Sequence, residues 1–142
     1  KHVPRHIDVV LGGGYEFYDD LLDYAKNKDI SVYRNASPDQ IVGLLRDACL
    51  AVVPDSMVFY EACCLRRPII CGYDCDNQRF ISQYNQQNGL GYEIGDLLDN
   101  FDEKFSKAYK DMDITVAVNY VYNQKALIND TAYNLINVFK SL

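Results

Sequence analysis

The sequence lacks the features that mark several classes of protein. No apolar run approaches the ~20 residues that a membrane-spanning helix needs. Twenty acidic residues stand against 14 basic ones, and the resulting net charge of −6 disfavours nucleic acid as a partner. No Cys-x2-Cys pair is present, and His2 and His6 lie together at one end of the chain, so we predict no metal site. We also expect no cofactor.

The size and composition are those of one globular domain. At 142 residues, with 49% apolar and 24% charged residues, the chain is long enough to bury about two thirds of its unfolded surface. No repeat, low-complexity tract or Gly/Ser-rich linker divides it. The first residue is Lys1 rather than Met, which is expected of a piece of a longer protein. We therefore predict a single domain over residues 1–142, a fragment or half of a larger two-domain enzyme.

The five cysteines indicate the redox compartment. Their number is odd, and three of them lie within apolar runs, where a free thiol behaves as a small hydrophobic side chain. We predict reduced core thiols and a cytoplasmic protein.

Apolar runs alternate with helical patterns as far as residue 96. The predicted strands are Ile7–Leu11, Ile30–Arg34, Leu50–Val53, Pro68–Gly72 and Gly91–Ile94. The third and fourth runs are continuously apolar, as in parallel strands that helices cover on both faces. The pattern predicts an α/β fold with a mainly parallel, Rossmann-like sheet of about five strands and helices on both faces.

The helices are predicted from apolar spacing and from residues typical of helix ends. Ser37, Pro38 and Asp39 begin one helix as N-cap, first-turn proline and first-turn acid, and Gly89 ends another. After Asp96 no strand pattern follows, so we predict a helical carboxyl-terminal region. The predicted helices are Tyr15–Lys28, one from Pro38, one around Glu61, Asn77–Asn88, Leu97–Lys110, Ile114–Leu127 and Thr131–Leu142.

Polar residues follow the third and fourth predicted strands. Ser56 comes just after one strand, Asn77 and Gln78 follow the next, and the helix between them carries the single acid Glu61. Ligands of open α/β sheets bind at this edge. The Glu61 carboxylate can accept hydrogen bonds from paired ribose hydroxyls, or it can simply face solvent. Asn77 and Gln78 can contact a sugar, or cap the next helix.

The run Gly12-Gly13-Gly14 lies between a predicted strand and a predicted helix. Exposed N–H groups there could hold a phosphate, or the glycines could serve a tight turn with positive φ. A dinucleotide fingerprint requires a third glycine where this chain has Phe17, and a P-loop requires Gly-Lys-Ser/Thr, which is absent. The glycines alone leave both interpretations open.

Taken together, the central motifs resemble a known family. The order Glu61-Ala62, Arg67-Pro68, an apolar strand, Asn77-Gln78 and then Gly89 resembles the carboxyl-terminal domain of glycosyltransferase-B fold enzymes that use UDP-sugars. The pattern is nearest to the nucleotide-sugar hydrolase of pseudaminic acid biosynthesis and to the spore-coat polysaccharide biosynthesis proteins.

The resemblance implies a role for particular residues. Glu61 would bind the ribose of UDP, the Asn35–Pro38 loop with Ile41 would border uracil, and Asn77 and Gln78 would face the sugar or diphosphate. No catalytic residue is predicted. The nucleotide-sugar-binding residues implied in this way are Gly12, Gly13, Asn35, Ile41, Ser56, Glu61, Asn77 and Gln78.

Two departures from the family limit what the resemblance implies. Where the relatives have Gly-Gly-Ser/Thr, this chain has Asp55-Ser56-Met57, and a carboxylate beside a diphosphate could cost a few kcal/mol, on the order of the ~4 kcal/mol expected for like charges at close range. The family's amino-terminal domain is also missing, so the chain alone should be inactive. We predict the UDP-sugar-binding domain of a bacterial glycosyltransferase or nucleotide-sugar hydrolase that makes glycans. The alternative is a degenerate, non-catalytic interaction or oligomerisation module of the same fold.

Overall fold

A computed structural model describes residues 6–129 and divides the chain into two compact units, residues 1–47 and 48–142. Each unit is described by itself below. The predicted helix Thr131–Leu142 lies outside the described residues, and the single domain over residues 1–142 stays a prediction.

The first unit contains a two-stranded parallel sheet. Strands β1 (Ile7–Leu11) and β2 (Ile30–Arg34) have the predicted bounds, and Ile7 lies opposite Ile30. Helix α1 (Tyr18–Ala25) is shorter than predicted. The Tyr15 N–H donates to the Gly12 carbonyl at 3.2 Å, and this bond holds residues 12–15 in a turn rather than in the helix.

Helix α2 (Pro38–Asp47) begins where the sequence predicts. The Ser37 N–H donates to Gln40 Oε1 at 2.8 Å, and the Gln40 N–H donates to Ser37 Oγ at 3.3 Å. This reciprocal pair is a capping box, which satisfies two backbone donors at the start of the helix.

The second unit contains a three-stranded parallel sheet in the order β3-β4-β5. Its strands are β3 (Ala51–Pro54), β4 (Ile69–Tyr73) and β5 (Tyr92–Asp96), each within two residues of its predicted bounds. The prediction of an α/β fold with parallel strands is confirmed. The five described strands are divided between a two-stranded and a three-stranded sheet, whereas the sequence predicted one sheet of about five.

Helices cover both faces of the three-stranded sheet. On one face, Ile70 and Ile94 form an apolar cluster with Ala108 of the helix that follows β5. Cys71 points to the opposite face, because successive strand residues alternate. The helices of this unit are α3 (Met57–Cys64), a 3-10 turn (Asp76–Gln78), α4 (Arg79–Asn88), α5 (Phe101–Asp111) and α6 (Ile114–Asn129). None of the helices within residues 6–129 has both the length and the apolar character to cross a membrane.

Two helix ends show how local bonds set the bounds. Helix α4 ends at Gly89, which has a left-handed φ of 57°, as predicted. Helix α5 begins four residues later than predicted, because the Leu97 N–H donates to the Tyr73 carbonyl at 2.8 Å and keeps Leu97 beside the sheet.

A bulge between β4 and β5 requires glycine at two positions. The strand register shifts between Cys71 and Tyr73, and Gly95 on the opposing strand has a φ of 77°. A Cβ atom on Gly72 would lie 2.3 Å from the Gly95 carbonyl oxygen, well inside van der Waals contact. The backbones of the two strands therefore approach more closely than any side chain at Gly72 would allow.

Helix α6 is attached to the sheet layer by the buried side chain of Gln124. Its amide nitrogen donates to the Leu90 carbonyl at 2.7 Å and to the Arg67 carbonyl at 3.0 Å. These two carbonyls precede β5 and β4 along the chain. One amide group thus satisfies backbone acceptors at the amino ends of two neighbouring strands.

We expect Gln124→Leu to lower the free energy of unfolding by about 2 kcal/mol, because the buried Leu90 carbonyl loses its donor. The measurement is urea denaturation followed by circular dichroism. The matched control is Gln87→Leu on the exposed surface of α4, which should change stability by less than about 0.5 kcal/mol. Equal losses in the two variants would contradict the role assigned to Gln124.

Candidate functional site

Ser56 occupies the N-cap position of α3, directly after β3. Its backbone is extended, with φ −139° and ψ −165°, and its hydroxyl makes no capping hydrogen bond. The hydroxyl and the first N–H groups of α3 can therefore donate to a ligand at this end of the sheet.

Glu61 lies on the solvent-exposed face of α3. Phe59, Ala62 and Cys63 are buried on the other side of the same helix. Among residues 6–129, the Glu61 carboxylate has no hydrogen bond or ion pair. Both oxygens are thus accessible, which fits the solvent-facing interpretation and leaves the carboxylate able to accept two hydroxyl groups.

Asn77 and Gln78 form the 3-10 turn that follows β4. Because β3 and β4 are parallel neighbours, this turn and Ser56 lie at the same edge of the sheet. The Asp74 N–H donates to Gln78 Oε1 at 3.1 Å, and Cys75 Sγ donates to Asn77 Oδ1 at 2.9 Å. Gln78 occupies the N-cap position of α4, but its side chain makes no capping hydrogen bond there. Its side chain closes the turn instead.

The other predicted residues belong to the first unit. Gly13 and Asn35 follow β1 and β2, and a Cβ atom on Gly13 would lie 2.8 Å from Asn35 Oδ1. The Arg34 guanidinium donates to the Gly13 carbonyl at 3.1 Å. Ile41 is half-buried in α2. The carboxyl ends of β1 and β2 thus bring Gly13 and Asn35 together.

The glycine run adopts a turn without left-handed backbone. Neither Gly12, Gly13 nor Gly14 has a positive φ, and added Cβ atoms on Gly12 and Gly14 would meet open space. The interpretation that the turn requires glycine for a positive φ is therefore wrong. The close approach of Asn35 accounts for Gly13 alone.

Asp55 is fully buried rather than exposed at the sheet edge. Its N–H donates to the Gly72 carbonyl at 2.7 Å, which extends the strand pairing by one residue and turns the carboxylate inward. Asn85 of α4 donates to Asp55 Oδ1 at 2.7 Å. The expectation that Asp55 places a negative charge beside a bound diphosphate is wrong, because the carboxylate lies under α4.

The Asp55 carboxylate belongs to a cluster with Cys71 and Glu93. Cys71 of β4 and Glu93 of β5 are direct partners in the strand register, and the Cys71 thiol donates to Glu93 Oε2 at 3.5 Å. One ligand atom from each of the three residues lies within 4.8 Å of the others. The cluster therefore joins three adjacent strands on one face of the sheet.

Burial and a neighbouring carboxyl group disfavour the ionised form of Glu93. Burial, together with the neighbouring Asp55 carboxyl group, raises the pKa of Glu93 to about 7. Burial, with the two neighbouring carboxylates, also raises the pKa of the Cys71 thiol. Below neutral pH, the Glu93 carboxyl group therefore holds a proton, while Cys71 stays a thiol.

A cavity of about 520 Å³ connects Glu93 to the outer edge of β5. Three cationic side chains line it, and each has an acidic partner: Arg79 with Asp76, Lys104 with Asp99 and Lys107 with Asp111. Ser82 and Glu93 also line the cavity. The buried cluster thus has a route to solvent between α4 and α5.

The sequence pattern does not identify Glu93, Cys71 and Asn85 as members of one site. A charged residue inside the short predicted strand Gly91–Ile94 was a usable signal, because acids are rarely buried without a partner. The partners of Glu93 could not be recognised from the sequence, since Asp55 and Cys71 are 16 positions apart and Cys71 and Glu93 are 22 positions apart.

Comparison with known proteins identifies the fold but no family. No protein-family model matches the sequence, and no curated protein matches it. A solved structure described as the glycotransferase of kitacinnamycin matches with a TM-score of 0.58 at 14% sequence identity. The match covers 88% of this chain and 40% of that chain. The chain thus has the fold of part of a glycosyltransferase and spans less than half of its length.

In the absence of added metal ions, we expect the protein to lose stability as the pH rises from about 4.5 to about 7. The reason is that the folded protein keeps a proton on Glu93 that the unfolded chain releases. Glu93→Gln should flatten this dependence and be the more stable protein at pH 8. The measurement is the urea midpoint across this pH range in buffers containing a chelator.

The control for this titration is Glu103→Gln, which changes an exposed acid of α5. It should keep the pH dependence of the unmodified protein. An identical dependence in Glu93→Gln and the unmodified protein would show that Glu93 is ionised normally.

Proposed function

We propose that this chain is the nucleotide-sugar-binding half of a bacterial glycan-biosynthesis enzyme, either a glycosyltransferase or a nucleotide-sugar hydrolase. The fold supports this proposal, since the chain matches part of a glycosyltransferase over 88% of its own length. The observation that carries it is the accessible carboxylate of Glu61, on the helix that begins at the ligand-binding edge of the sheet.

The chemistry of this edge suits a nucleoside diphosphate. Glu61 accepts hydrogen bonds from the two ribose hydroxyls, and Ser56 with the amino end of α3 donates to the diphosphate. The Asn77 amide lies at the same edge and donates to the sugar or diphosphate. The burial of Asp55 supports this assignment, because the carboxylate that would repel phosphate is enclosed.

The catalytic groups are proposed to come from outside this chain. Glu61, Ser56 and Asn77 bind and position a nucleotide sugar, and none of them is placed to attack the sugar. Gly12, Gly13, Asn35 and Ile41 stay predicted nucleotide contacts of the first unit. We place the whole enzyme in the cytoplasm, where nucleotide sugars are used.

We expect UDP to bind this chain and to raise its thermal midpoint, and Glu61→Ala to weaken UDP binding by about 10- to 100-fold. This loss corresponds to about 1.5–3 kcal/mol for hydrogen bonds to a charged acceptor. The measurements are calorimetric titration with UDP and thermal denaturation with and without UDP.

The matched control is Glu103→Ala, which removes an exposed helical glutamate far along the chain and should bind UDP as tightly as the unmodified protein. Binding of UDP that is unchanged by Glu61→Ala would contradict the ribose contact. A flat titration with UDP and with UDP-N-acetylhexosamines would contradict the nucleotide-sugar site as a whole.

A second candidate function is a non-catalytic interaction or oligomerisation module. One face of α6 carries a stripe of apolar side chains spaced four residues apart: Ile114, Val118 and Tyr122, which are 82%, 60% and 71% exposed. Such a stripe at helical spacing is suited to packing against another helix. We take a second copy of this chain as its partner in the test below.

If this second function holds, the protein should sediment as a dimer and Val118→Glu should shift it to the monomer. Leu98→Glu is the control, because Leu98 is also an exposed apolar residue but lies in the turn before α5. A monomer at all concentrations in analytical ultracentrifugation would exclude self-association through α6.

A further inference from the structure

We propose that Asp55, Cys71 and Glu93 bind one divalent metal ion, and that their ligand atoms select zinc. Asp55 directly follows β3, Cys71 lies in β4 and Glu93 lies in β5, and these three strands are adjacent. One ligand atom from each residue lies within 4.8 Å of the others. Asp55 and Cys71 are fully buried. The proposal is independent of the nucleotide-sugar function, since the cluster lies on the face of the sheet beneath α4 rather than at the sheet edge.

Two buried oxygen atoms at the cluster support an ion. Asp55 Oδ2 and Asn85 Oδ1 have no hydrogen-bond donor among the described residues, although both residues are fully buried. The Asn85 amide is held beside the cluster by its bond to Asp55 Oδ1. Buried polar atoms nearly always have a partner, and a cation would provide one for both oxygens.

The spacing of two of the ligand atoms fits tetrahedral coordination. Cys71 Sγ and Glu93 Oε2 are 3.5 Å apart. A zinc ion with bonds of about 2.3 Å to sulfur and about 2.0 Å to oxygen at the tetrahedral angle separates the two ligand atoms by about 3.5 Å. The Asp55 carboxylate is the third ligand, and the Asn85 amide oxygen or a water molecule completes the set.

The ligand types exclude the common hard cations as the preferred occupant. Magnesium and calcium take six or more oxygen ligands, whereas this cluster offers a sulfur atom and few oxygens. Zinc accepts thiolate and carboxylate together. Binding converts the Cys71 thiol to a thiolate and releases its proton to solvent, together with any proton held by Glu93.

Charge and access are consistent with an ion at this position. Two carboxylates and a thiolate, confined together, repel one another, and a doubly charged cation offsets most of that repulsion. The cavity at the outer edge of β5 reaches Glu93, so an ion can enter without unfolding of the sheet. Once bound, it would tie the three strands together beneath α4.

The test is titration of the metal-free protein with Co²⁺, which can replace zinc and whose absorption spectrum depends on its ligands. One equivalent of Co²⁺ should produce a thiolate-to-cobalt charge-transfer band and the intense visible bands of tetrahedral geometry, and Zn²⁺ should displace it. Cys71→Ser should abolish the charge-transfer band, and Glu93→Gln should weaken Zn²⁺ binding by at least about tenfold, the range typical of disturbed zinc sites.

The matched control is Cys63→Ser, because Cys63 is a buried thiol of α3 that lies outside the cluster. It should keep the charge-transfer band. The Glu93→Gln variant keeps the test valid if Cys71→Ser fails to fold, since an amide replaces a protonated acid of the same shape.

Two results would overturn the proposal. The first is the absence of any Co²⁺ band or Zn²⁺ uptake in folded protein, which would mean that a proton on Glu93 alone neutralises the cluster. The second is a band that survives Cys71→Ser and disappears with changes of the exposed cysteines Cys49, Cys64 or Cys75, which would place the metal on the surface.

Discussion

The parallel pairing of β4 with both of its neighbours is the constraint on which the described part of the second unit depends. It places Cys71 opposite Glu93, and the extension of β3 by one further bond brings Asp55 to the same face. The same pairing brings Ser56 and Asn77 to one edge of the sheet. A shift of β4 by one residue would turn Cys71 to the opposite face, away from Asp55 and Glu93.

This geometry places a buried polar side chain and an accessible one at neighbouring positions of the chain. Asp55 is enclosed and held by Asn85, whereas Ser56, its neighbour, is at the surface at the start of α3. An exposed carboxylate at position 55 would repel an anionic ligand, but an enclosed one interacts mainly with Glu93 and Cys71. An aspartate at position 55 is therefore compatible with an anion site at the sheet edge.

The strands were predictable because buried parallel strands are continuously apolar, as Ile69 and Ile70 show. The start of α2 was predictable from Ser37, since its cap is local. The division of the strands between two sheets and the meeting of Asp55 with Glu93 were not, because both depend on which strands pair. The apolar spacing also predicted the wrong start for α5, because the Leu97 N–H donates to the Tyr73 carbonyl and keeps Leu97 out of the helix.

The attachment of α6 through Gln124 has a consequence for the order of folding. Its two acceptor carbonyls lie 34 and 57 positions away along the chain, just before β5 and β4, so both bonds are in place together only when these two strands are paired. Closing such long loops is slow compared with forming local helices and turns. We therefore expect α6 to dock late, after β4 and β5 have paired.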